Sequence, residues 1–202
     1  TLQIAQEAGI SVLNVLLWAT GVYGGLASGN VISAQICLDG LEKNLYLHRK
    51  HEVVQFHFLK AGIEFLKGNF SFAQDKISLA LQHHQEVGRP FLVESTRSCL
   101  AQVLIEIDDI EAARTHLHQS IQYARLFRSP FLEHHCLLIM AYSYLKRYSI
   151  HDALTFLSEG LRIAQENDFL CLNLWWRPQV MARLFSLALE HDIEVKYVKS
   201  VI

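Results

Sequence analysis

The sequence repeats itself with a step of forty residues. Pro-Phe-Leu occurs at 90–92 and again at 130–132, in a chain with only three prolines. The same step relates two columns of small residues in four copies: Ser33, Ala73, Ala113 and Ala153, and seven residues later Gly40, Ala80, Ser120 and Gly160. A fixed internal period of this length is typical of a helical solenoid, in which each repeat packs on its neighbours.

The columns indicate two helices in each repeat. Small residues seven apart, followed one position later by aliphatic residues, lie on one face of a helix. A further small column comes twelve residues before the first, at Gly21, Ala61, Ala101 and Ala141. Turn residues separate the two helices at Gly29-Asn30, Gly68-Asn69, Asp108-Asp109 and Tyr148-Ser149. Each repeat is therefore predicted to be an antiparallel helix pair.

Local signals place the helix ends. Pro90 and Pro130 stand where a first helix should begin, a position that needs no backbone N–H and suits the fixed φ of proline. Two pairs have the spacing of a capping box, Asp108 with Glu111 and Ser149 with Asp152. The predicted helices span 10–28, 31–46, 49–67, 70–86, 90–107, 109–126, 130–146, 149–166, 170–189 and 193–202.

We therefore predict an all-α fold, a right-handed α-α superhelix of antiparallel helix pairs. The small-residue columns resemble those of the tetratricopeptide repeat (TPR), with about 40 residues per repeat instead of about 34. The predicted repeats are 10–47, 48–87, 88–127 and 128–167, followed by a last helix and a capping helix in 168–202, all in one domain. Because "IAQEAGI" at the start echoes "IAQEND" at 163–168, residues 1–9 are predicted to end a preceding repeat of a longer protein.

Composition excludes some partners. The 202 residues carry a formal net charge of -2 and no run of Lys and Arg, so direct nucleic-acid binding is not expected. Four cysteines lie far apart without a Cys-x-x-Cys pair, which favours reduced thiols and a cytoplasmic protein.

The stretch from Ala8 to Leu38 has no charged residue and is long enough to be considered as a membrane span. Ser11, Asn14, Thr20 and three glycines dilute it, and it fits the register of the repeats, so we expect a core helix and no membrane. If nothing covers that helix, we expect self-association through an apolar face with Val12, Leu16 or Leu17, and Val22.

No chemistry of an enzyme or a metal site is predicted. Among eleven histidines, His48 and His51 are three apart. Adjacent histidines occur at 83–84 and at 134–135, and the two members of each pair point in different directions on a helix, which does not suit a shared metal ion. Gly-x-Ser-x-Gly and His-Glu-x-x-His are both absent, and Asp108-Asp109 falls at a turn. We expect no catalytic residue, no metal and no cofactor. An enzyme that assembles its catalytic groups only through tertiary proximity stays open at this point.

A strip of aromatic and polar residues follows one face of the first helices, at positions 18, 15 and 11 before the first small column. We predict that it lines a concave, solvent-accessible groove for a neutral hydrogen-bonding ligand or a peptide. The alternative is ordinary packing between repeats, although unpaired polar groups would be costly there. The strip comprises Trp18, Gln55, Phe58, Ser95, Ser98, Gln102, His135, Tyr142 and Trp175.

The closing run "LALEHDIEVKYVKSVI", residues 187–202, predicts a short amphipathic helix capped by Asp192 that packs back through Ile193, Tyr197 and Val201. It also resembles the run that closes the repeat domain in large bacterial ATP-dependent transcriptional activators of the MalT-like, LuxR type. In that family an NTPase module precedes the repeats and a DNA-binding module follows them.

The resemblance implies a segment that senses an inducer or a partner and relays the signal between the flanking modules. The alternative is a general scaffold that grips a peptide from another protein. A site for a small neutral molecule needs aromatic surfaces with a few hydrogen-bonding groups, whereas a peptide clamp shows repeated Lys, Arg or Asn.

Overall fold

The computed structural model describes residues 11–46, 49–170, 174–175 and 177–202, with side chains from residue 14 onward. These ranges contain ten α-helices and no strand. The helices are α1 (Ser11–Ser28), α2 (Val31–Lys43), α3 (Lys50–Lys67), α4 (Phe70–Val87), α5 (Pro90–Glu106), α6 (Ile110–Leu126), α7 (Pro130–Leu145), α8 (Ile150–Glu166), α9 (Pro178–Glu190) and α10 (Val195–Val201). By their contacts they form two compact units, Thr1–Pro90 and Phe91–Ile202.

Unit 1 contains two helix pairs. Helix α1 packs on α2, α3 packs on α4, and α3 also contacts both helices of the first pair. The two helices of each pair are joined by a turn at the predicted dipeptide, where Gly29 and Gly68 adopt left-handed φ angles of 70° and 85°. The Asn30 side chain caps α2 by accepting a hydrogen bond from the backbone N–H of Ser33, with a distance of 3.0 Å.

Unit 2, taken by itself, also consists of packed helix pairs. Helix α7 packs on α6 and α8, and α9 contacts α7, α8 and α10. Helix α5 is joined to α6 where the Ser120 hydroxyl donates to the Glu94 carboxylate, at 2.9 Å. The predicted turns are again present, but here Asp108 and Tyr148 adopt the left-handed φ angles of 70° and 59°.

Most residues of the small-residue columns are buried at contacts between helices, as predicted. Their alanines have no exposed surface: Ala61, Ala101 and Ala141 on first helices, and Ala73, Ala113 and Ala153 on second helices. At Gly160 even a Cβ atom would approach the Leu137 Cβ to 3.2 Å. Small side chains are therefore required for this separation between helices.

Helix α1 shows only part of the expected apolar face. Leu16 is 56% exposed, as expected, but Val22 is fully buried.

The prediction is wrong for one residue of the first small-residue column. Ser33 is exposed, and the neighbouring Ala34 is fully buried in its place. The N-caps Asn30 and Asn69 are 39 residues apart, whereas the later N-caps follow at steps of forty. The first repeat is thus one residue shorter than the prediction assumed.

Prolines mark the helix starts, including one that the prediction missed. Helices α5 and α7 begin at Pro90 and Pro130, as predicted. The helix predicted for 170–189 instead begins at Pro178, and Leu170 lies outside any helix. Arg177 has an extended backbone, φ -115° and ψ 104°, because a following proline disfavours the helical conformation. Residues 171–173 and 176 of that prediction lie outside the described residues.

Three helix ends differ from the predicted caps. Asp108 forms the turn, and Asp109 is the N-cap that accepts from the backbone N–H of Ala112, at 3.3 Å. The Ser149 hydroxyl donates to the Asp152 carboxylate at 2.6 Å, although a capping box would have it accept from the backbone. Helix α10 follows Glu194 and not Asp192.

The cysteines on the first helices of unit 2 are deeply buried. Cys99 on α5 and Cys136 on α7 are free thiols without exposed surface, and burial raises the pKa of both. Cys37 is partly exposed, and Cys171 lies outside the described residues. Within the described ranges, no helix combines the length and hydropathy that crossing a bilayer requires.

Candidate binding surface

A buried carboxylate joins three elements of unit 2. Glu106 is the last residue of α5, and its side chain is only 9% exposed. The Tyr142 hydroxyl on α7 donates to Glu106 Oε1 at 2.8 Å. Lys146 Nζ, just after α7, lies 3.2 Å from Oε2, and Arg177 Nη1, just before α9, lies 2.6 Å from Oε1. We call Glu106, Tyr142, Lys146 and Arg177 the Glu106 cluster.

The Glu106 cluster carries more positive than negative charge. Two cationic side chains contact a single carboxylate, and both keep accessible surface, 27% for Lys146 and 22% for Arg177. Lys146 Nζ also donates to the Ile105 carbonyl at 3.0 Å, which places a cation at the C-terminal end of α5 where the helix dipole favours it. The cluster can therefore accept a further anionic or carbonyl oxygen.

Tyr142 is held as a hydrogen-bond donor. Burial, and then the Glu106 carboxylate, raise the pKa of its hydroxyl from 10 to about 12, although Arg177 and Arg183 oppose the change. The phenol is therefore protonated at every physiological pH, and it orients the Glu106 carboxylate. Arg183, an exposed residue of α9, adds a third positive charge near this hydroxyl.

Two predicted strip residues belong to this surface. Tyr142 is a member of the Glu106 cluster, and Gln102 lies one helical turn before Glu106 on α5 and is buried. Glu106 and Lys146 extend the predicted column by one turn, because each lies four residues after Gln102 and Tyr142 respectively. Continuing the column would have identified both, whereas Arg177 precedes α9 and follows no helical period.

Ser95 and Ser98 do not form an open groove. Ser98 has no exposed surface, and its hydroxyl donates to the Ser95 carbonyl at 2.8 Å. The Ser95 hydroxyl likewise donates to the Phe91 carbonyl at 2.9 Å. Serine hydroxyls in helices often bond to the carbonyl one turn earlier, so their presence on a face does not require solvent. The expectation that these positions are solvent-accessible was wrong.

His135 and Trp175 are also fully buried, contrary to the expected exposure. The His135 ring stacks on Phe131 on the same helix, with centroids 6.4 Å apart. Trp175 precedes Pro178 and is not on a helix, so it does not continue the helical column that suggested it.

The remaining strip residues lie in unit 1. The Trp18 ring packs on Gly40 of α2, where a Cβ would come within 2.6 Å of the ring. Trp18 therefore contributes to packing between α1 and α2. Phe58 is buried and tilted against Tyr23 with centroids 6.2 Å apart. Gln55 is partly exposed on α3. No structural observation tests ligand binding by these three residues, which stays a prediction.

A second polar network lies inside unit 2. Glu94 on α5 is buried, and Arg97 Nη1 contacts both of its carboxylate oxygens, at 2.7 and 2.8 Å. The Ser120 hydroxyl on α6 also donates to the Glu94 carboxylate. This network joins the two helices of one pair, so we assign it a structural role. In the described part of the chain, no three His, Cys, Asp or Glu residues converge as metal ligands.

No protein-family model matches the sequence, and no curated protein matches it. Among solved structures, a crystal structure of the apo form of RapI aligns with a TM-score of 0.64 at 16% sequence identity, covering 94% of this chain and 75% of RapI. The fold is shared with RapI. The chain therefore has an all-α, TPR-like helical-repeat fold, as the column pattern predicted.

Proposed function

We propose that this chain is a helical-repeat module that binds a peptide segment of a partner protein, with the Glu106 cluster as a polar contact of the binding surface. The convergence of Tyr142, Lys146 and Arg177 on one carboxylate is the observation that carries the proposal. A peptide has a carbonyl at every residue and charged side chains at some, and partly exposed Lys and Arg donors suit both. Helical-repeat folds commonly serve as such scaffolds, without catalysis.

The cluster favours a peptide over a small neutral molecule. Repeated cationic side chains are typical of a peptide clamp, and Lys146, Arg177 and Arg183 supply three around one surface. The aromatic strip residues that suggested a neutral ligand are largely packed, since Phe58 and Trp175 are buried. Burial of these rings removes the flat apolar surface that a neutral ligand would need.

A phage-displayed library of random 12-residue peptides tests this proposal. Peptides selected on the native chain are titrated by calorimetry against the wild type, Arg177→Ala and Tyr142→Phe. We expect Arg177→Ala to weaken binding on the order of tenfold, which corresponds to about 1.4 kcal/mol, and Tyr142→Phe to weaken it less, because that change leaves both cations in place.

Arg162→Ala is the matched control, because Arg162 lies on α8 and forms an ion pair with Glu166, outside the Glu106 cluster. It should leave affinity unchanged. Selection of no peptide above background, or equal affinity of the wild type and Arg177→Ala, would contradict the proposal. Melting temperatures of all variants separate a lost contact from a lost fold.

We further propose a regulatory role, as the sensing or relay segment of a bacterial transcriptional activator between an NTPase module and a DNA-binding module. The resemblance of residues 187–202 supports it. The packing of this run is compatible with relay, since the Tyr197 hydroxyl donates to the Phe169 carbonyl and α10 contacts α9, which begins one residue after Arg177. The full-length sequence tests it: a Gly-x-x-x-x-Gly-Lys loop upstream and a helix-turn-helix downstream are expected.

A further inference from the structure

An open groove lies beside the Glu106 cluster in unit 2. Its volume is about 400 Å³, which is in the range of ligand pockets. The turn between α7 and α8 forms one wall, and one side of α9 forms the other. Its apolar lining consists of Leu145, Ile150, Ala182 and Leu187. We call it the Ile150 groove, because Ile150 is 40% exposed at the start of α8.

The Ile150 groove and the Glu106 cluster share a positive charge. Arg183 is exposed on α9 and lines the groove, and its charge also acts on the Tyr142 hydroxyl of the cluster. Leu145 of the groove directly precedes Lys146 of the cluster. An apolar group in the groove and an anionic group on the cluster can therefore belong to one short ligand.

The two ends of the groove differ in charge. Where the groove meets the cluster, the cations Lys146, Arg177 and Arg183 outnumber the one carboxylate of the cluster. Glu190 lines the groove two helical turns after Arg183, about 10 Å further along α9. The cationic end attracts a carboxylate, whereas the Glu190 end repels one.

On the basis of the proposed peptide-binding function, we infer that the bound peptide carries an acidic side chain close to an aliphatic one. The carboxylate binds to the cations of the Glu106 cluster and to Arg183, and the aliphatic side chain enters the Ile150 groove. Arginine suits this role, because its planar guanidinium can donate two parallel hydrogen bonds to one carboxylate. The aliphatic side chain is stabilised by leaving water, since most of the groove lining is apolar.

The peptides selected by phage display test this specificity through their sequences. An Asp or Glu adjacent to a Leu, Ile, Val or Met, or one residue away from it, should be several-fold more frequent among them than in the unselected library. Side chains at these separations are close enough in an extended peptide to reach the cluster and the groove together. Peptides that bind through Arg177 without such a pair would overturn the inference and leave the proposed function intact. If no peptide is selected, the proposed function is refuted, and the specificity with it.

Calorimetry with synthetic copies of a selected peptide tests the two contacts separately. Both ends are blocked by acetylation and amidation, so that a terminal carboxylate cannot supply the charge. Two further copies replace the acidic residue by its amide and the aliphatic residue by alanine. Arg183→Gln and Ile150→Ser should each weaken binding of the unchanged peptide about fivefold or more. Both residues are exposed, so the melting temperature should stay close to that of the wild type.

Each loss should depend on the matching residue of the peptide. Arg183→Gln should not weaken the amide copy, and Ile150→Ser should not weaken the alanine copy, because in each case the contact is already absent. The controls Arg162→Gln and Leu126→Ser change exposed residues of unit 2 outside the groove and should leave the affinity unchanged. An effect of Arg183→Gln that persists on the amide copy, or of Ile150→Ser on the alanine copy, would overturn the inference.

Discussion

At the scale of single residues, His134 couples the stability of unit 2 to pH. It is fully buried against Phe131 and Phe169, and among the described residues neither ring nitrogen has a hydrogen-bond partner. Burial lowers its pKa from 6.5 to about 4. The folded state therefore keeps the ring neutral, whereas the unfolded chain binds a proton below pH 6.5. Stability is full above that pH and falls as pH decreases towards 4, by up to about 3 kcal/mol.

His134→Leu should remove this acid-dependent loss, because leucine fills a similar volume without a proton to bind. Urea unfolding between about pH 7 and 4.5 measures it, as a smaller change in unfolding free energy than in the wild type. His57, His84 and His116, whose pKa values burial also lowers, contribute equally to both proteins. The exposed His118→Leu should retain the wild-type slope; a parallel slope in His134→Leu would refute the assignment.

Tyr148 stores backbone strain without a compensating contact of its side chain. Its φ of 59° is left-handed, and the side chain is 89% exposed. Such a conformation costs an L-residue about 1–2 kcal/mol. Tyr148→Gly should therefore stabilise the chain by about 0.5–1 kcal/mol after the greater chain entropy of glycine is included. Thermal unfolding measures the gain, and Tyr148→Ala, which keeps its Cβ, should show none.

At the scale of helices, Ala101 reports how closely the two members of a pair pack. It has no exposed surface on α5, as its column predicts. Ala101→Leu should overpack this contact and lower the unfolding free energy by about 1–3 kcal/mol in a denaturant titration. Ala182→Leu, at an exposed position of α9, should change it by less than about 0.5 kcal/mol. Equal effects would mean that the column does not mark a close contact.

Helix boundaries were predictable where the signal is local. Pro90 and Pro130 start helices, and the four turn dipeptides lie where expected, because φ restriction and left-handed turns depend on a few neighbouring residues. The prediction was wrong at Pro178, because it extended the repeat period to a helix start at 170 although the proline indicates a start at 178. It also failed at Ser33, since a single deleted residue in a repeat leaves the period almost unchanged but rotates every later position by 100° around the helix.

At the scale of the whole molecule, the candidate binding surface was only partly predictable. The face containing Gln102 and Tyr142 follows from helical periodicity. The contacts of Glu106 with Lys146 and Arg177 do not, because they join residues far apart in sequence and depend on how successive elements pack. Serine hydroxyls were misleading, since a helix can satisfy them internally. The chain shares its fold with RapI at 16% sequence identity, so most positions can differ while the architecture is kept.

The two thiols buried on α5 and α7 can report how fast these helices separate from their neighbours. Cys99 and Cys136 have no exposed surface and raised pKa values, so neither the nucleophilic thiolate nor a route for a reagent exists in the closed state. An alkylating reagent added to the folded protein can modify them only when these helices separate. When the open state is alkylated faster than it closes, the rate of modification equals the rate of opening, and the native cysteines report that rate without an engineered probe.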